Sequence, residues 1–269
     1  MRKHITRQRQ LRLLILLLIT VIILFALNTP AGRRFVSMPA AQFVKKAPAK
    51  PPAPKRPVEP KYRMELLKWF QFSDREDLRE WEEKVFKGRV SYLVENENAS
   101  SYVKADSQGA ASALYYKIKL DRDRDPVISW RWRVDKFPDK TRPESLESQE
   151  EHDFAARVYV IFPAMFILNS KVLEYIWAKD LAVGTSGTSP YSQNIKLLVL
   201  EKGQPEPGEW RFEERDIIAD YIKAFGRTPD KDIGAIAFMT NAEHTGSVAD
   251  ARYDDIKVGY REEKTGEGR

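Results

Sequence analysis

Three histidines, His4, His152 and His244, and no cysteine bound the chemistry open to this chain of 269 residues. Without a thiol there can be no disulfide framework, no thiolate metal centre and no cysteine nucleophile. His152-Asp153 and Glu243-His244 are the histidine–acid neighbours beyond the N-terminal region, and two histidines with no spaced partner make a poor zinc site. A carboxylate pair for glycoside cleavage could sit among the acids, but sequence does not separate an acid of raised pKa from a surface one.

The arginines and aromatics are more informative. In "ISWRWRV", strand alternation puts Ile128, Trp130, Trp132 and Val134 on one face and Ser129, Arg131 and Arg133 on the other. In "DFAARVYVIF" the same alternation separates Phe154, Ala156, Val158, Val160 and Phe162 from Arg157 and Tyr159. If these strands are neighbours, three arginines and a tyrosine share a face that can read carboxylates, phosphates or sugar hydroxyls. The plainer alternative pairs the arginines with Asp153, Glu213, Glu214 or other acids on a solvated sheet. In "EYIWAK", Ile176 and Ala178 facing the core would leave Tyr175 and Trp177 outward, where a ring can stack on the C–H face of a pyranose. Against that, Trp177 could pack under the following loop.

Two glycine- or acid-rich stretches fail as motifs. "GTSGTSP", residues 184–190, lacks the Gly-Lys-Ser/Thr ending of a phosphate loop and the glycine spacing of a nucleophile elbow. It reads as a flexible loop able to rim a ligand groove, with Tyr191 at its far end. "DRDRDP" from Asp121 starts like a calcium loop, but Pro126 and Trp132 stand where glycine and glutamate are required, so a turn before a strand is expected.

The elements that must position these residues follow from composition and periodicity. Residues 1–61 carry thirteen Lys and Arg against Glu59 alone, a net +12, which leaves 32 basic and 38 acidic groups, a net −6, for residues 62–269. An acidic body with its positive excess in a tail argues against nucleic-acid binding. After a basic flank (1–12), the apolar run 13–27 is interrupted only by Thr20 and reads as an uncleaved transmembrane signal anchor with the N-terminus inside. Residues 28–61, including "KKAPAKPPAPKRPVEPK", form a Pro/Lys-rich stalk that holds the domain off the bilayer at about 3 Å per residue. The main domain, 62–260, then faces the periplasm or cell exterior, and 261–269 is a disordered tail.

Within that domain a first short helix is expected over "SDREDLREWEEKVFKG", with Ser73 and Glu76 at capping-box spacing and Leu78, Trp81, Val85 and Phe86 on one face. Ten segments of period two then predict strands, from "VSYLVE" to "ARYDDIKVGY". A second helix, "DIIADYIKAFG", stops at Gly226. The stretch "KFPDKTRPESLESQEEH", 136–152, is long enough to be a mobile rim. The fold class is therefore all-β: a β-sandwich with two short helices, behind an anchor and a linker.

"SWRWRV", "DFAARVYVIF", "EYIWA", "WRFEERDIIADYIKAFGRTP" and "TNAEHTGSVADARYDDIKV", in this order and spacing, resemble the bacterial domain of unknown function 3047. The resemblance spans about Trp69 to Tyr260 and implies a jelly-roll sandwich akin to galactose-binding and carbohydrate-binding modules, without implying an activity. One departure is visible: Glu243-His244 stands before Thr245-Gly246 where the family tends to have Asp-Asn. In modules of this kind an acid on the last strand often holds a structural calcium, so Asp255 becomes the metal candidate, against a cross-strand ion pair. Alternation over 252–259 sets Tyr253, Asp255, Lys257 and Gly259 opposite Arg252, Asp254, Ile256 and Val258, and His244 falls in the preceding loop.

The expected function is non-catalytic recognition of an envelope saccharide or anionic polymer, with Arg131, Arg133, Arg157 and Tyr159 as polar contacts and Tyr175 and Trp177 for stacking. A carbohydrate-active hydrolase or lyase with a carboxylate pair, and a structural or protein-binding envelope module, are the alternatives. No cofactor is expected beyond the calcium.

Overall fold

The computed structural model describes residues 63–97, 100–165, 169–206 and 208–262, so the segments expected to be an anchor (13–27) and a stalk (28–61) lie outside it. No helix among the described residues is long and apolar enough to cross a membrane. Among the described residues thirteen strands form two sheets. The first runs β11 (Arg211–Asp216), β6 (Pro126–Lys136), β13 (Val248–Arg261), β4 (Ser100–Gln108), β3 (Ser91–Glu97), with β1 (Met64–Phe70) beside the later half of β13. The second runs β2 (Glu82–Lys87), β5 (Ala111–Leu120), β12 (Ile233–Asn241), β7 (Ala156–Phe162), β8 (Lys171–Ala178), β10 (Ser192–Lys202), β9 (Ser186–Ser189). From β4 to β7, and again from β11 to β13, successive strands switch sheets, the succession of a jelly roll.

The two inner faces meet in an aromatic core. Trp130 and Trp132 project inward from β6 as alternation requires, edge to face at 5.3 Å, and meet Tyr175 and Trp177 of β8 at 5.4 and 5.7 Å. At the other end Trp81, Phe72 and Tyr253 surround Phe238. Helix α1 (Ile217–Phe225) forms as expected: Asp216 caps its N-terminus onto the amide of Ala219, and Gly226, at φ 71°, ends it in the left-handed conformation. Gly259 is required by contact, since a Cβ there would collide with the carbonyl oxygen of Glu65 on neighbouring β1.

The first expected helix is mostly replaced. Only a 3-10 turn, Arg75–Glu80, is present, and its capping box uses Asp74 and Asp77 rather than Ser73 and Glu76. Glu82–Lys87 is instead strand β2, paired along β5. Val85 and Phe86 do not share a helical face with Trp81, because β5 offers this short segment a ladder of hydrogen bonds that outweighs its weak helical periodicity.

One edge of the sandwich carries two acids on its inner side. Glu201 of β10 is in register with Trp177, and Glu213 of β11 with Trp130. Burial, reinforced by Glu201, pushes the Glu213 carboxyl up to about 8. A raised acid holds a proton in the fold that the unfolded chain releases, so the contribution is full below about pH 4.5 and is lost as pH rises through 8. Glu213→Gln keeps a hydrogen-bonding group but removes this titration. Urea unfolding is expected to show the variant losing about 2 kcal/mol less stability than the parent between pH 5 and pH 9.

Candidate functional site

The arginines expected on one face stand on two. Strand β6 lies in the first sheet and β7 in the second, so Arg131 and Arg133 point from one side of the sandwich and Arg157 and Tyr159 from the other. Alternation assigned each side chain correctly to the non-core face, but it carries no information about which sheet a strand joins. Each arginine is engaged by acids. Arg131 bonds Asp254 and lies near Asp255, while Arg133, 5 % exposed, sits 3.0 Å from Glu97 and 3.1 Å from Asp135 with Trp210 and Tyr102 beside its guanidinium. Arg157, also 5 % exposed, donates to Glu174 Oε1 at 2.6 Å and to the carbonyl of His152. The Tyr159 hydroxyl rests 3.6 Å from Met239 Sδ. Of these four, Arg131 and Tyr159 retain appreciable exposure.

Tyr175 and Trp177 are corrected more sharply. They do oppose Ile176 and Ala178, but they are the inward pair, each 1 % exposed. The Tyr175 hydroxyl donates to Asp220 at 2.9 Å and Trp177 Nε1 to the Gly203 carbonyl at 3.0 Å. Ile176 and Ala178 are covered from the other side by Leu146 and Phe154, so both faces of β8 are buried and neither ring can stack on a ligand.

Asp255 is not opposite Asp254. A bulge between Asp254 and Lys257 holds Asp255 at φ 51°, and both carboxylates reach Arg131. Tyr253 and Ile256 both remain in the core, which the extra residue makes possible. With Arg131, Lys257 at 3.7 Å and the indole N–H of Trp69 at 2.9 Å around it, Asp255 is neutralised by protein cations and does not fit a calcium ligand. The cross-strand alternative describes it.

The cluster that sequence reasoning set aside lies where the turn after β12 meets the entry to β7. Asp153 has no exposed surface. Its carboxylate accepts from Asn241 Nδ2 (2.8 Å), the Thr245 amide (2.7 Å), Thr245 Oγ1 (2.8 Å), the His244 amide (3.1 Å) and His244 Nδ1 (3.2 Å). Burial alone would raise this carboxyl, but hydrogen bonds from His244 and Thr245 hold it well below the usual range. His244 Nδ1 also lies 3.1 Å from Glu243 Oε1. Burial works against its charge, yet the bonds to Asp153 and Glu243 outweigh it and lift the imidazole to about 9. At neutral pH both ring nitrogens therefore carry protons.

That charge is relayed outward. His244 Nε2 is 2.7 Å from the Tyr191 hydroxyl oxygen, which accepts because an imidazolium has no lone pair to offer. The phenolic proton must then point elsewhere, and its partner within the protein, the Gln149 carbonyl, is distant at 3.5 Å. Burial, then Glu243, pushes the Tyr191 phenol up, so it stays neutral. His152 lies edge-on to the Phe154 and Tyr191 rings at 5.2 and 5.5 Å, and burial followed by Arg157 pushes it down to about 2, so it is uncharged. Tyr191 lines an open groove of about 550 Å³ with Glu147 and residues 188–193, a rim of hydroxyl and amide groups. Of the stretch 184–190 expected to be a flexible loop, Ser186–Ser189 is strand β9, and Thr188, Ser189 and Pro190 line the groove beside Tyr191.

Asp153, Glu243 and His244 are also the one group of three potential metal ligands found among the described residues, with donor atoms within 4.8 Å. They fit a metal poorly. Both Asp153 oxygens already receive N–H or O–H donors, and the Nδ1 proton sits between the carboxylates where a cation would bind.

The cluster binds the loop by charge, so its strength depends on pH. Asp153→Asn, which leaves the His244 charge half compensated, is expected to cost about 2 to 4 kcal/mol in denaturant unfolding. The raised His244 contributes fully below pH 6.5 and its contribution is lost as pH rises through about 9. His244→Gln should therefore flatten the stability profile between pH 6.5 and 9, by about 1 kcal/mol once solvent screening of this half-exposed group is allowed for.

No curated protein matches the chain. Among solved structures it is similar to the xyloglucanase domain of NopAA, a type three effector from Sinorhizobium fredii solved with cellobiose (12 % identity, 67 % of this chain and 93 % of that one, TM-score 0.40). It is also similar to a cellulose induced protein, Cip1 (12 %, 71 % and 96 %, 0.40), and to TmCBM27, a mannan-recognising carbohydrate-binding module (9 %, 74 % and 99 %, 0.35). Likenesses at this level leave the ligand and activity of this chain unassigned. The family match is direct: residues 79–257 match the family described as "Protein of unknown function (DUF3047)", and the chain belongs to that family.

Proposed function

We propose that this protein binds a saccharide without transforming it, at the groove beside Tyr191, as an envelope module held at a membrane by residues 13–27 and facing outward on its Pro/Lys-rich stalk. The observation that carries the reading is the Tyr191 hydroxyl beside the groove, fixed at 2.7 Å by the charged His244 and engaged as a donor only by the long 3.5 Å contact to the Gln149 carbonyl. A hydroxyl that already accepts from an imidazolium is a polarised donor, suited to a sugar oxygen. Ser189, Thr188, Ser192 and Gln193 add neutral donors and acceptors around it.

Charge selects between the two ligand classes. Behind the groove one imidazolium faces two carboxylates, and at the rim Glu147 adds an acid while Lys196, bonded to the Thr188 hydroxyl at 2.6 Å, adds a cation. This near-balance with a slight acid excess does not attract a polyanion and leaves a neutral saccharide as the favoured ligand. For catalysis the pair is one-sided, since a held imidazolium and a neutral phenol can give protons but do not take them.

Tyr191→Phe removes one hydroxyl and keeps the ring. Affinity electrophoresis of the full-length, detergent-solubilised protein against neutral polysaccharides is expected to show binding weakened about tenfold, the loss of one hydrogen bond to a polarised donor. Equal retardation of parent and variant would contradict the site.

A further inference from the structure

The exposed tryptophan sought for stacking is present on the opposite sheet. Trp69 of β1 is 42 % exposed, with Leu67 two residues away at 50 %. It is in register with Lys257 of β13, whose ammonium lies 4.6 Å from the ring centroid. Its indole N–H donates to Asp255 Oδ1 at 2.9 Å. The bulge that turns Asp255 out of the core direction thus locks the orientation of an exposed ring. Little side-chain freedom remains to be lost when a ligand covers that ring.

The groups around the indole are engaged without being saturated. Asp255 stands 3.7 Å from Lys257 Nζ and 3.4 Å from Arg131 Nε, both longer than a good charge-assisted hydrogen bond. Asp255, Lys257 and Arg131 have side chains 26, 31 and 32 % exposed. With the Lys257 ammonium over one face of the indole and a carboxylate acceptor at its N–H, the ring surface that stays exposed matches one chemical object closely: a pyranose ring, whose C–H face covers that surface while adjacent hydroxyls donate to the acid and accept from the cations. The three charges sum to +1 with Asp255 alone and to zero once Asp254, the other partner of Arg131, is included, so no charged ligand is called for.

We infer that Trp69, Asp255, Lys257 and Arg131 form a second saccharide-binding position, for a neutral pyranose ring, on the outer face of the first sheet. It rests on the saccharide reading of the protein but not on the Tyr191 groove, from which it is separated by the thickness of the sandwich. Two positions on opposite faces let one domain engage two chains of a polymer, or two turns of one chain, and convert weak single contacts into firm retention.

The test uses the full-length protein in detergent, with insoluble cellulose and soluble mannan, laminarin and dextran as probes and alginate as the polyanion control. Trp69→Ala, Trp69→Phe, Tyr191→Phe and the Trp69→Ala/Tyr191→Phe pair are compared, with thermal melts confirming folding. Trp69→Ala is expected to weaken retention by a neutral polysaccharide five- to tenfold, Trp69→Phe to recover part of it, and the pair to lose more than either single variant. If Trp69→Ala binds as the parent does while Tyr191→Phe is weakened, the second position is overturned and the groove stands. Weakening by Trp69→Ala alone supports this position and removes the groove, and a parent protein that binds none of the neutral polysaccharides overturns both.

Discussion

A carboxylate with no solvent contact is stable in a fold only if the protein replaces the water it has lost, and Asp153 is the residue around which that replacement is organised. Removing such an ion from water costs several kcal/mol before any partner is counted. The offset comes from donors on one short stretch, Asn241 to Thr245, including two backbone amides that only a tight turn after β12 can aim at one point. Because Asp153 itself leads into β7, this single group ties the turn to the neighbouring strand. The His244 charge is a consequence: Asp153 and Glu243 together keep the ring protonated, and the protonated ring fixes which way the Tyr191 hydroxyl faces.

The rest of the molecule can be understood as holding that arrangement between two aromatic-lined sheets. Trp130, Trp132, Tyr175 and Trp177 fill the space between them, so the large rings that would be effective on a ligand are spent on the core. What remains at the surface is a groove of small polar groups on one side and a single locked indole on the other. The arginines that dominate the sequence contribute mainly to structure. Each is paired, and Arg157 with Glu174 forms a buried ion pair whose loss of one member would strand the other charge.

The sequence made the strands legible because half-buried strands alternate, and the alternation placed Arg131, Arg133, Arg157 and Tyr159 correctly away from the core. It could not say that β6 and β7 belong to different sheets, since sheet membership is decided by contacts between residues far apart in the chain. Trp177 shows a second gap: alternation separates two faces, and when both are buried, as on β8, it gives no sign of which one a ligand could reach. Asp255 shows a third, because one bulged residue inverts the pattern for everything after it. Trp69 was visible only as the start of the domain, with no periodic signal to mark it as exposed. His244 offered a better clue. It stands beside an acid, but its partner Asp153 is 91 residues away and nothing local connects them.

The central claim is that His244 is an imidazolium held between Asp153 and Glu243 and bonded to Tyr191. Nuclear magnetic resonance titration of the histidine rings tests it directly, since only three histidines need to be resolved. The account predicts that His244 titrates near 9 in the parent, with both ring nitrogens protonated at pH 7, and moves toward the ordinary value of 6.5 in Asp153→Asn. A parent His244 that titrates near 6.5, or a value that Asp153→Asn leaves unchanged, would contradict it.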